Sequence, residues 1–264
     1  MDFKAKIGRA LVHLGIDPRK VVALRHLPQY YRQKELFCRM GGTITCHFPI
    51  LNNYSDSAGT AKGHYFHQDL LVASLIHQHK PKRHIDVGSR VDGFVAHVAA
   101  FREIEVLDIR AMPPSAHANI KFRRADLMSD AGAAVADSVS CLHVIEHFGL
   151  GRYGDDIDPE GHVKGLQNLI RMVQPNGRLY LSFPIGRRDE IHFNAHRVLH
   201  PQTLLDFDFV KRGLELVRFD YVTDDGALRT DAKVSDAADL CEYGCGIYTF
   251  RRSTDAEGSS HGQH

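Results

Sequence analysis

The sequence lacks an excess of charge of either sign and lacks long hydrophobic runs. Its 264 residues include 33 lysines and arginines against 32 aspartates and glutamates, a net charge of +1. Without a global positive field, nucleic acid is disfavoured as a main partner. No run of about 18 apolar residues is present to span a bilayer, and the N-terminus shows no continuous signal-peptide core. We therefore expect a cytoplasmic protein with no membrane span and no nucleic-acid partner.

Cysteine is also scarce, at five residues, an odd number scattered along the chain. They are Cys38, Cys46, Cys141, Cys241 and Cys245. Small secreted domains use denser, even-numbered sets of cysteines as disulfide frameworks. This pattern instead indicates reduced thiols, in agreement with a cytoplasmic location.

Residues 1–40 have the apolar spacing of two helices. The first predicted helix covers Phe3 to Leu14, and the second runs from Arg19 to Met40 with an interruption at Pro28. A polar loop rich in glycine and serine follows over 41–63. We predict that 1–64 is a helical cap with its loop; a helical pair that only packs or forms a homodimer is the alternative.

Strands and helices alternate from residue 65 to residue 252. Helices are predicted from Tyr65 to His79, from Phe94 to Phe101, after an Asp158 N-cap with Pro159 at the first helical position, and from Pro201 to Phe209. Strands are predicted around Ile85 and in the segments IEVLDIR, IKFRRADL, SVSCLHVIEH, RLYLSFPI, LELVRFDYV and GCGIYTFRR. This alternation predicts an α/β domain with a mostly parallel, seven-stranded sheet covered by helices on both faces. Residues 253–264 have almost nothing to bury, and we expect a disordered tail.

The segment KRHIDVGSRVDG predicts a ligand site, because an apolar strand carrying Asp86 runs into a turn between Gly88 and Gly93 and then into a helix. Arg90 stands where a dinucleotide fingerprint has its second glycine, and no Lys-Ser or Lys-Thr pair of a P-loop follows. Asp108 and Asp126 end the next two predicted strands. Carboxylates there are able to accept hydrogen bonds from ribose hydroxyls and from an adenine amino group, which favours an adenosine ligand.

The segments IDVGSRVDG, VLDIR, RADL, SVSCLHVIEH and LIRMVQPNGRLYLSFPIG, taken in order, resemble the class I S-adenosylmethionine-dependent methyltransferases over about residues 65–252. The turn departs from their usual D-x-G-x-G-x-G. The segments GHYFHQDL, HIDVGSRVDGFVAHV, EHFGLGRYGD and FNAHRV are similar to a little-characterised bacterial subfamily known as a domain of unknown function and met among surface-polysaccharide genes. The resemblance implies a Rossmann-like class I methyltransferase fold with S-adenosylmethionine as cofactor and S-adenosylhomocysteine as product.

The resemblance also implies which residues bind the cofactor. Asp86, Gly88 and Gly93 would lie beside its methionine part, and Gln68 would reach its carboxylate. Asp108 would hold the ribose with Ile109 against the adenine, Asp126 and Leu127 would meet the adenine amino group and ring, and His143 would lie near the donor methyl group.

A hydroxyl acceptor needs a base, and His147, His196 and Glu146 follow the fourth and fifth predicted strands in that order of preference. The alternative is that Glu146 and His147 cap a helix and His196 packs in a loop. The acceptor is expected to contact the polar loop GLGRYGDDIDPEG and the segment FNAHRV. The substrate-binding candidates are Arg152, Tyr153, Asp155, Asn194 and Arg197.

Two histidine patterns suggest a metal, but neither is predicted to form a site. HVIEH spells an inverted zinc-peptidase motif, yet its first histidine ends a strand, whereas that motif needs a helix. His192, His196 and His200 have helical spacing, but Pro201 and the loop-like Phe193-Asn194 argue against a helix. His64 and His67 are predicted to be core or cleft-wall residues. We therefore predict no metal ligands, although Asp155, Asp156 and Asp158 leave Mg²⁺ open.

The sequence thus predicts O-methylation of a sugar hydroxyl in surface-polysaccharide or sugar-nucleotide biosynthesis. The partner is then a glycan or small-molecule acceptor, such as a nucleotide-linked sugar. The alternative is a non-catalytic subunit that binds the cofactor during glycan assembly. A nicotinamide enzyme is a third hypothesis, disfavoured by Arg90.

Overall fold

The computed structural model describes residues 18–55, 58–129 and 135–254. Two units divide the chain, Met1–Thr60 and Ala61–His264. The first predicted helix and all of the tail beyond residue 254 lie outside the described residues. Among the described residues, no helix has the length and apolar character needed to cross a membrane.

The described part of the first unit is mainly helical. Helix Pro18–Ala23 leads through a 3₁₀ turn, Leu24–His26, into helix Leu27–Arg39. Pro28 lies in the first turn of helix Leu27–Arg39, where a backbone N–H has no intrahelical acceptor and its absence costs no hydrogen bond. The predicted interruption of the helical segment at this proline is confirmed. A short 3₁₀ turn, Asn52–Ser55, follows an irregular stretch.

The second unit is built on an eight-stranded sheet with the order β3-β2-β1-β4-β5-β10-β8-β9. Its strands are β1 His84–Val87, β2 Ile104–Asp108, β3 Ile120–Arg124, β4 Ala136–Leu142, β5 Val173–Ile185, β8 Leu214–Val222, β9 Leu228–Arg229 and β10 Gly244–Arg252; a separate hairpin pairs β6 Glu190–His192 with β7 His196–Val198. The first five strands are parallel, and β10 lies antiparallel between β5 and β8. The predicted mostly parallel sheet is confirmed, with the two-residue β9 as an eighth strand.

Helices cover both faces of this sheet. One face packs against helix His64–His79 and the helical segments Val91–Val95 and Ala96–Ala99. The other face packs against Gly161–Met172, Thr203–Asp206, Asp208–Gly213 and Val234–Leu240. In β5, Tyr180 belongs to the first core while Leu179 and Leu181 belong to the second, as the alternation of a strand requires.

Three predicted boundaries are wrong in the region after β4. The fourth strand ends at Leu142, and a single 3₁₀ turn, Ile145–His147, replaces its predicted last residues. The next helix begins at Gly161 without a side-chain cap, because Asp158 forms a preceding turn in which its Oδ1 accepts from the Glu160 N–H at 2.9 Å. The predicted helix Pro201 to Phe209 is two short helices that break at Phe207.

Candidate functional site

A cavity that is partly open to solvent lies at the carboxyl ends of the parallel strands. This is where open α/β sheets bind ligands. The predicted site residues that line it are Gly88, Asp108, Ile109, Asp126, Leu127, His143, His147, Tyr153 and Asp155. The structure therefore brings together residues from the ends of β1, β2, β3 and β4 with the loop that follows β4.

The turn after β1 requires glycine at Gly88. Its φ is +68°, and a Cβ at this position would lie 2.6 Å from Cγ1 of Val144. The Gly88 N–H donates to the Leu107 carbonyl at 2.8 Å, which holds the turn against β2. A side chain here would both strain the backbone and enter the cavity wall, so Gly88 keeps the cavity open.

Asp86 lies beneath the turn, fully buried, and is absent from the cavity lining. Its carboxylate accepts hydrogen bonds from the Ser89 N–H at 3.0 Å, from Ser89 Oγ at 2.7 Å and from Ser140 Oγ. Burial raises the pKa of Asp86 to about 6, although these hydrogen bonds favour the charged form. The contacts of Asp86 fix the turn to β4 and are structural.

Asp108 ends β2 with its carboxylate engaged by Arg110. Arg110 Nε donates to Oδ1 at 3.0 Å, its Nη2 donates to Oδ2 at 2.6 Å, and the backbone N–H of the same residue adds a bond to Oδ1 at 2.8 Å. The Arg110 guanidinium also stacks on the Tyr153 ring, 4.4 Å from its centroid. Asp108 is thus positioned as an acceptor at the cavity. A ligand that binds it would displace the Arg110 guanidinium from the carboxylate.

Asp126 and Leu127 follow β3 on the adjacent wall. Asp126 Oδ1 accepts from the Met128 N–H at 2.9 Å, which orders the turn. The buried Leu127 faces the second core and the cavity, and its carbonyl accepts from Asn168 Nδ2 at 2.7 Å. This wall combines an acidic acceptor with an apolar surface, the chemistry needed to recognise a purine ring.

Gln68, Asp69 and Gly93 meet on the other side of the turn. Gln68 is buried, donates from Nε2 to Asp69 Oδ1 at 3.1 Å and accepts from Ser182 Oγ at 2.6 Å. A Cβ on Gly93 would lie 2.6 Å from Asp69 Oδ2, so only glycine fits beside this carboxylate. Burial raises the pKa of Asp69. The sequence analysis missed Asp69, which directly follows Gln68 in GHYFHQDL.

His143 adopts the left-handed conformation directly after β4, with φ +55°. Its backbone N–H donates to the Ser182 carbonyl at 2.9 Å. The side chain is buried and its Nδ1 donates to Glu146 Oε1 at 2.8 Å. Burial opposes the charged form of the ring, but the neighbouring Cys245 and Glu146 raise the pKa of His143 above its ordinary value. Glu146, 1% exposed, is therefore held by His143 instead of pointing toward a substrate.

His147 is oriented by a backbone carbonyl. Its Nδ1 donates to the Ala195 oxygen at 2.6 Å, and Arg152 Nη1 donates to the same oxygen at 2.9 Å. The tautomer that makes this bond leaves Nε2 of His147 as a proton acceptor. Burial lowers the pKa of His147 below its ordinary value of 6.5. The imidazole is therefore neutral at neutral pH.

His196 belongs to a cluster of rings beside His147. Its ring centroid lies 5.1 Å from that of His192, 5.6 Å from that of Tyr243 and 6.4 Å from that of His147. Its buried Nε2 has no hydrogen-bond partner among the described residues. Burial is the main cause that lowers the pKa of His196. The positions of His192 and Tyr243 beside His147 and His196 were not predicted from the sequence.

The remaining substrate-binding candidates have different surroundings. Asp155 Oδ2 accepts from the N–H groups of Gly149 and Gly151 at 2.9 and 3.2 Å, and so shapes the loop. Asn194 is exposed in the turn between β6 and β7 with φ +62°. Arg197, expected to bind substrate, is 1% exposed and instead donates to the carbonyls of residues 146, 148 and 159. Its contacts are structural and fasten the hairpin to the loop after β4.

Neither histidine pattern weighed in the sequence forms a helical metal site. His143 precedes the 3₁₀ turn that contains Glu146 and His147, so HVIEH is not on an α-helix. His192 and His196 are cross-strand partners in the β6–β7 hairpin. The prediction that these two patterns are not helical is confirmed.

A family model described as "Caenorhabditis protein of unknown function, DUF268" matches residues 128–220. This match spans less than half of the chain and includes β4, the loop after it and the β6–β7 hairpin. No curated protein sequence matches the chain significantly.

Several solved structures resemble the chain. The cyclase SpnF is 15% identical, with a TM-score of 0.52 over 83% of this chain and 92% of that chain. The N-methyltransferase NodS from Bradyrhizobium japonicum WM9, in complex with S-adenosyl-L-homocysteine, is 14% identical, with a TM-score of 0.48 over 76% of this chain and 90% of that chain. Together with the order of the strands, the likeness to the cyclase confirms the predicted Rossmann-like class I methyltransferase fold.

Proposed function

We propose that this protein transfers a methyl group from S-adenosylmethionine to a hydroxyl oxygen of a sugar, in a surface glycan or its nucleotide-linked precursor. The observation that carries the proposal is the placement of Asp108, Asp126 and His147 around one cavity at the carboxyl ends of the strands. Acceptors for an adenosine and a neutral base for a hydroxyl thus border the same space.

The cavity residues fit the adenosine part of the cofactor. Asp108 would accept hydrogen bonds from both ribose hydroxyls once Arg110 releases this carboxylate. The Arg110 guanidinium would remain stacked on the Tyr153 ring. Asp126 would accept from the adenine amino group, and Ile109 and Leu127 would contact the ring. The cradle at Gly88, which a Cβ would fill, admits the ligand close to the backbone.

The methionine end would lie by the turn that joins Gly88 to Gly93. Asp69 offers a buried carboxylate there. Its Oδ2 lies beside Gly93, where the missing side chain leaves room for it. A carboxylate at this point suits the α-ammonium group of the methionine part, and Gln68 Nε2 orients it. We infer that Asp69 binds the ammonium and that Gln68 positions Asp69.

S-Adenosylmethionine would supply a methyl group on a sulfonium that already carries its leaving-group activation. The protein's contribution is alignment of the acceptor and removal of the hydroxyl proton. His147 would take this proton at Nε2, because Nδ1 is committed to Ala195 and burial keeps the ring neutral. His196 is the second candidate base, and Glu146 acts as a positioning residue for His143.

A sugar acceptor suits the chemistry of the surrounding loop. Tyr153 and Arg152 flank His147, and the Tyr153 ring packs edge-on against it at 5.5 Å. The Tyr153 phenol and the Arg152 guanidinium offer hydrogen-bonding groups suited to the hydroxyls of a pyranose. The resemblance of EHFGLGRYGD and FNAHRV to the polysaccharide-associated subfamily supports the same substrate class.

Two measurements test the proposal in sequence. Calorimetry of the purified chain with S-adenosylhomocysteine is expected to show binding of one molecule, in preference to NAD. Incubation of the protein with methyl-labelled S-adenosylmethionine and a lysate of its own organism is expected to label a glycan or sugar nucleotide. Binding without labelling would favour the non-catalytic subunit, and no binding of S-adenosylhomocysteine would overturn both.

A further inference from the structure

A group of metal-ligating side chains lies at the edge of the cavity, and one of them, His143, also lines it. His64, His143 and Cys245 each offer one ligand atom, and the three atoms lie within 4.8 Å of one another. They come from the start of helix His64–His79, the residue after β4 and the start of β10. Three separate elements of the second unit thus converge on one point.

We propose that His64 Nε2 or Nδ1, His143 Nε2 and the thiolate of Cys245 bind one zinc ion. Two imidazole nitrogens with one thiolate form a ligand set that zinc prefers, and three protein ligands leave a fourth position for water or a ligand oxygen. This site goes beyond the proposed methyl transfer, with which it shares His143.

His143 is prepared for coordination. Its Nε2 is buried without a hydrogen-bond partner among the described residues, a costly state for a polar atom. Glu146 accepts from its Nδ1 at 2.8 Å, so Nε2 faces away from the carboxylate. A carboxylate behind a ligating histidine fixes the tautomer and raises ligand basicity at zinc sites. The left-handed backbone of His143 is a further local strain of the kind found at functional sites.

His64 is held over His143. The two rings are stacked, with centroids 5.3 Å apart and planes at 12°, and the Tyr243 ring also stacks with His64 at 5.6 Å. A tetrahedral zinc with bonds of about 2.1–2.3 Å separates its ligand atoms by roughly 3.5 Å. The half-buried His64 at the helix start therefore needs a ring rotation and a shift of about an ångström to complete the site.

Charge also balances at this point. Cys245 is fully buried, with Sγ 3.9 Å from the Gln68 oxygen, and Glu146 Oε2 has no partner within the described part of the chain. A divalent cation, one thiolate and the buried Glu146 carboxylate sum to zero. Binding would release the thiol proton to solvent as the Zn–S bond forms. The zinc ion would thus compensate the buried negative charge of Glu146, whose Oε2 has no hydrogen-bond partner within the described part of the chain.

The test measures metal binding to the purified full chain. Cys38→Ser and Cys46→Ser are introduced first, because these two thiols are exposed and bind metal adventitiously. In this background we expect one zinc per chain by elemental analysis after dialysis, and a thiolate-to-metal charge-transfer band when Co²⁺ replaces Zn²⁺. Cys245→Ser should abolish the band, and His64→Ala should weaken zinc binding more than about 100-fold, since even loss of an outer-shell partner costs 10–100-fold.

Matched controls separate coordination from folding. Cys241→Ser removes another buried thiol four residues away, and His67→Ala removes another histidine of the same helix; both should retain one zinc and the charge-transfer band. If Cys245→Ser does not fold, the zinc affinity of His64→Ala decides the question, because a substitution at this partly exposed residue should not prevent folding. No bound zinc in the background chain, or an unchanged affinity in His64→Ala, would overturn the site. Calorimetry with S-adenosylhomocysteine reports separately on the proposed function, and His64→Ala should leave that affinity unaltered.

Discussion

Both carboxylate oxygens of Asp108 are engaged by Arg110, at 3.0 Å from Nε to Oδ1 and at 2.6 Å from Nη2 to Oδ2. A ligand that uses Asp108 as an acceptor has to replace these bonds. The pair therefore sets part of the affinity of the cavity for any ribose.

Asp108→Asn should weaken S-adenosylhomocysteine binding about 10- to 100-fold, because hydrogen bonds to a charged acceptor contribute about 1.5–3 kcal/mol. Isothermal titration calorimetry measures this change. Asp206→Asn is the control, since Asp206 is an exposed acid that pairs with Lys211 outside the cavity lining. Equal affinities of the two variants would remove Asp108 from the cofactor site. Arg110→Gln frees Asp108 and should not weaken binding.

Gly88→Ala should lower the free energy of unfolding and abolish cofactor binding. The substitution combines an unfavourable φ of +68° with a contact of 2.6 Å to Val144, whereas Gly154→Ala has φ +80° with nothing nearby. We expect about 1 kcal/mol of destabilisation from backbone strain alone at Gly154, and a total of about 2–4 kcal/mol at Gly88. Denaturant titration measures both values. Similar losses in the two variants would show that Val144 accommodates the methyl group.

His147→Ala should lower the methyl-transfer rate about 10²- to 10⁴-fold, the usual contribution of general base catalysis, with little change in S-adenosylhomocysteine affinity. Because burial lowers the pKa of His147, the neutral base persists below pH 6.5, and the acidic limb of the wild-type rate profile should lie below that value. Rates with labelled cofactor across pH measure both effects. His77→Ala, an exposed histidine on helix His64–His79, is the control. A wild-type rate in His147→Ala would transfer the role to His196.

Asp86 should make the protein less stable as pH rises from about 4 to about 6. Its pKa in the folded state is raised from 3.8 to about 6, so the folded protein binds this proton more tightly than the unfolded chain does. The favourable contribution is complete below the unfolded pKa and is lost as pH rises through the folded one, with a size on the order of 3 kcal/mol. Relative to the wild type, Asp86→Asn should therefore gain stability between pH 4 and pH 6 in denaturant titrations.

The control for Asp86 has the opposite sign. Asp92 is exposed and its pKa is lowered by the hydrogen bond from Arg90, so any contribution it makes is lost as pH falls. Asp92→Asn should show no such gain relative to the wild type between pH 4 and pH 6. A wild-type slope in Asp86→Asn would show that another group carries the linkage.

The apolar pattern of the sequence was sufficient to predict most of the sheet. GCGIYTFRR became β10 over the predicted residues, and the acids after β2 and β3 lie on one cavity because parallel strands end at the same edge. Short elements were missed where too few residues exist to show a period. The three-residue strands β6 and β7 and the seven-residue helix Val234–Leu240 are of this kind.

Side-chain roles were harder to predict than strands. Arg197 resembles a substrate ligand in the sequence, yet backbone carbonyls around Phe148 surround its guanidinium. The approach of His64 to Cys245 joins the two ends of the second unit, a juxtaposition that no local spacing encodes. Tertiary contacts of this kind decide whether a polar residue is structural or available to a ligand.

The two edges of the main sheet limit how copies of this chain associate. β3 carries Lys121, Arg123 and Arg124 along one edge, so an added strand would bring a row of cations against its own backbone and side chains. β9, at the other edge, has only two residues to extend a hydrogen-bonded ladder. Strand addition along β3 is therefore disfavoured, whereas β9 covers only Tyr221 and Val222 of β8.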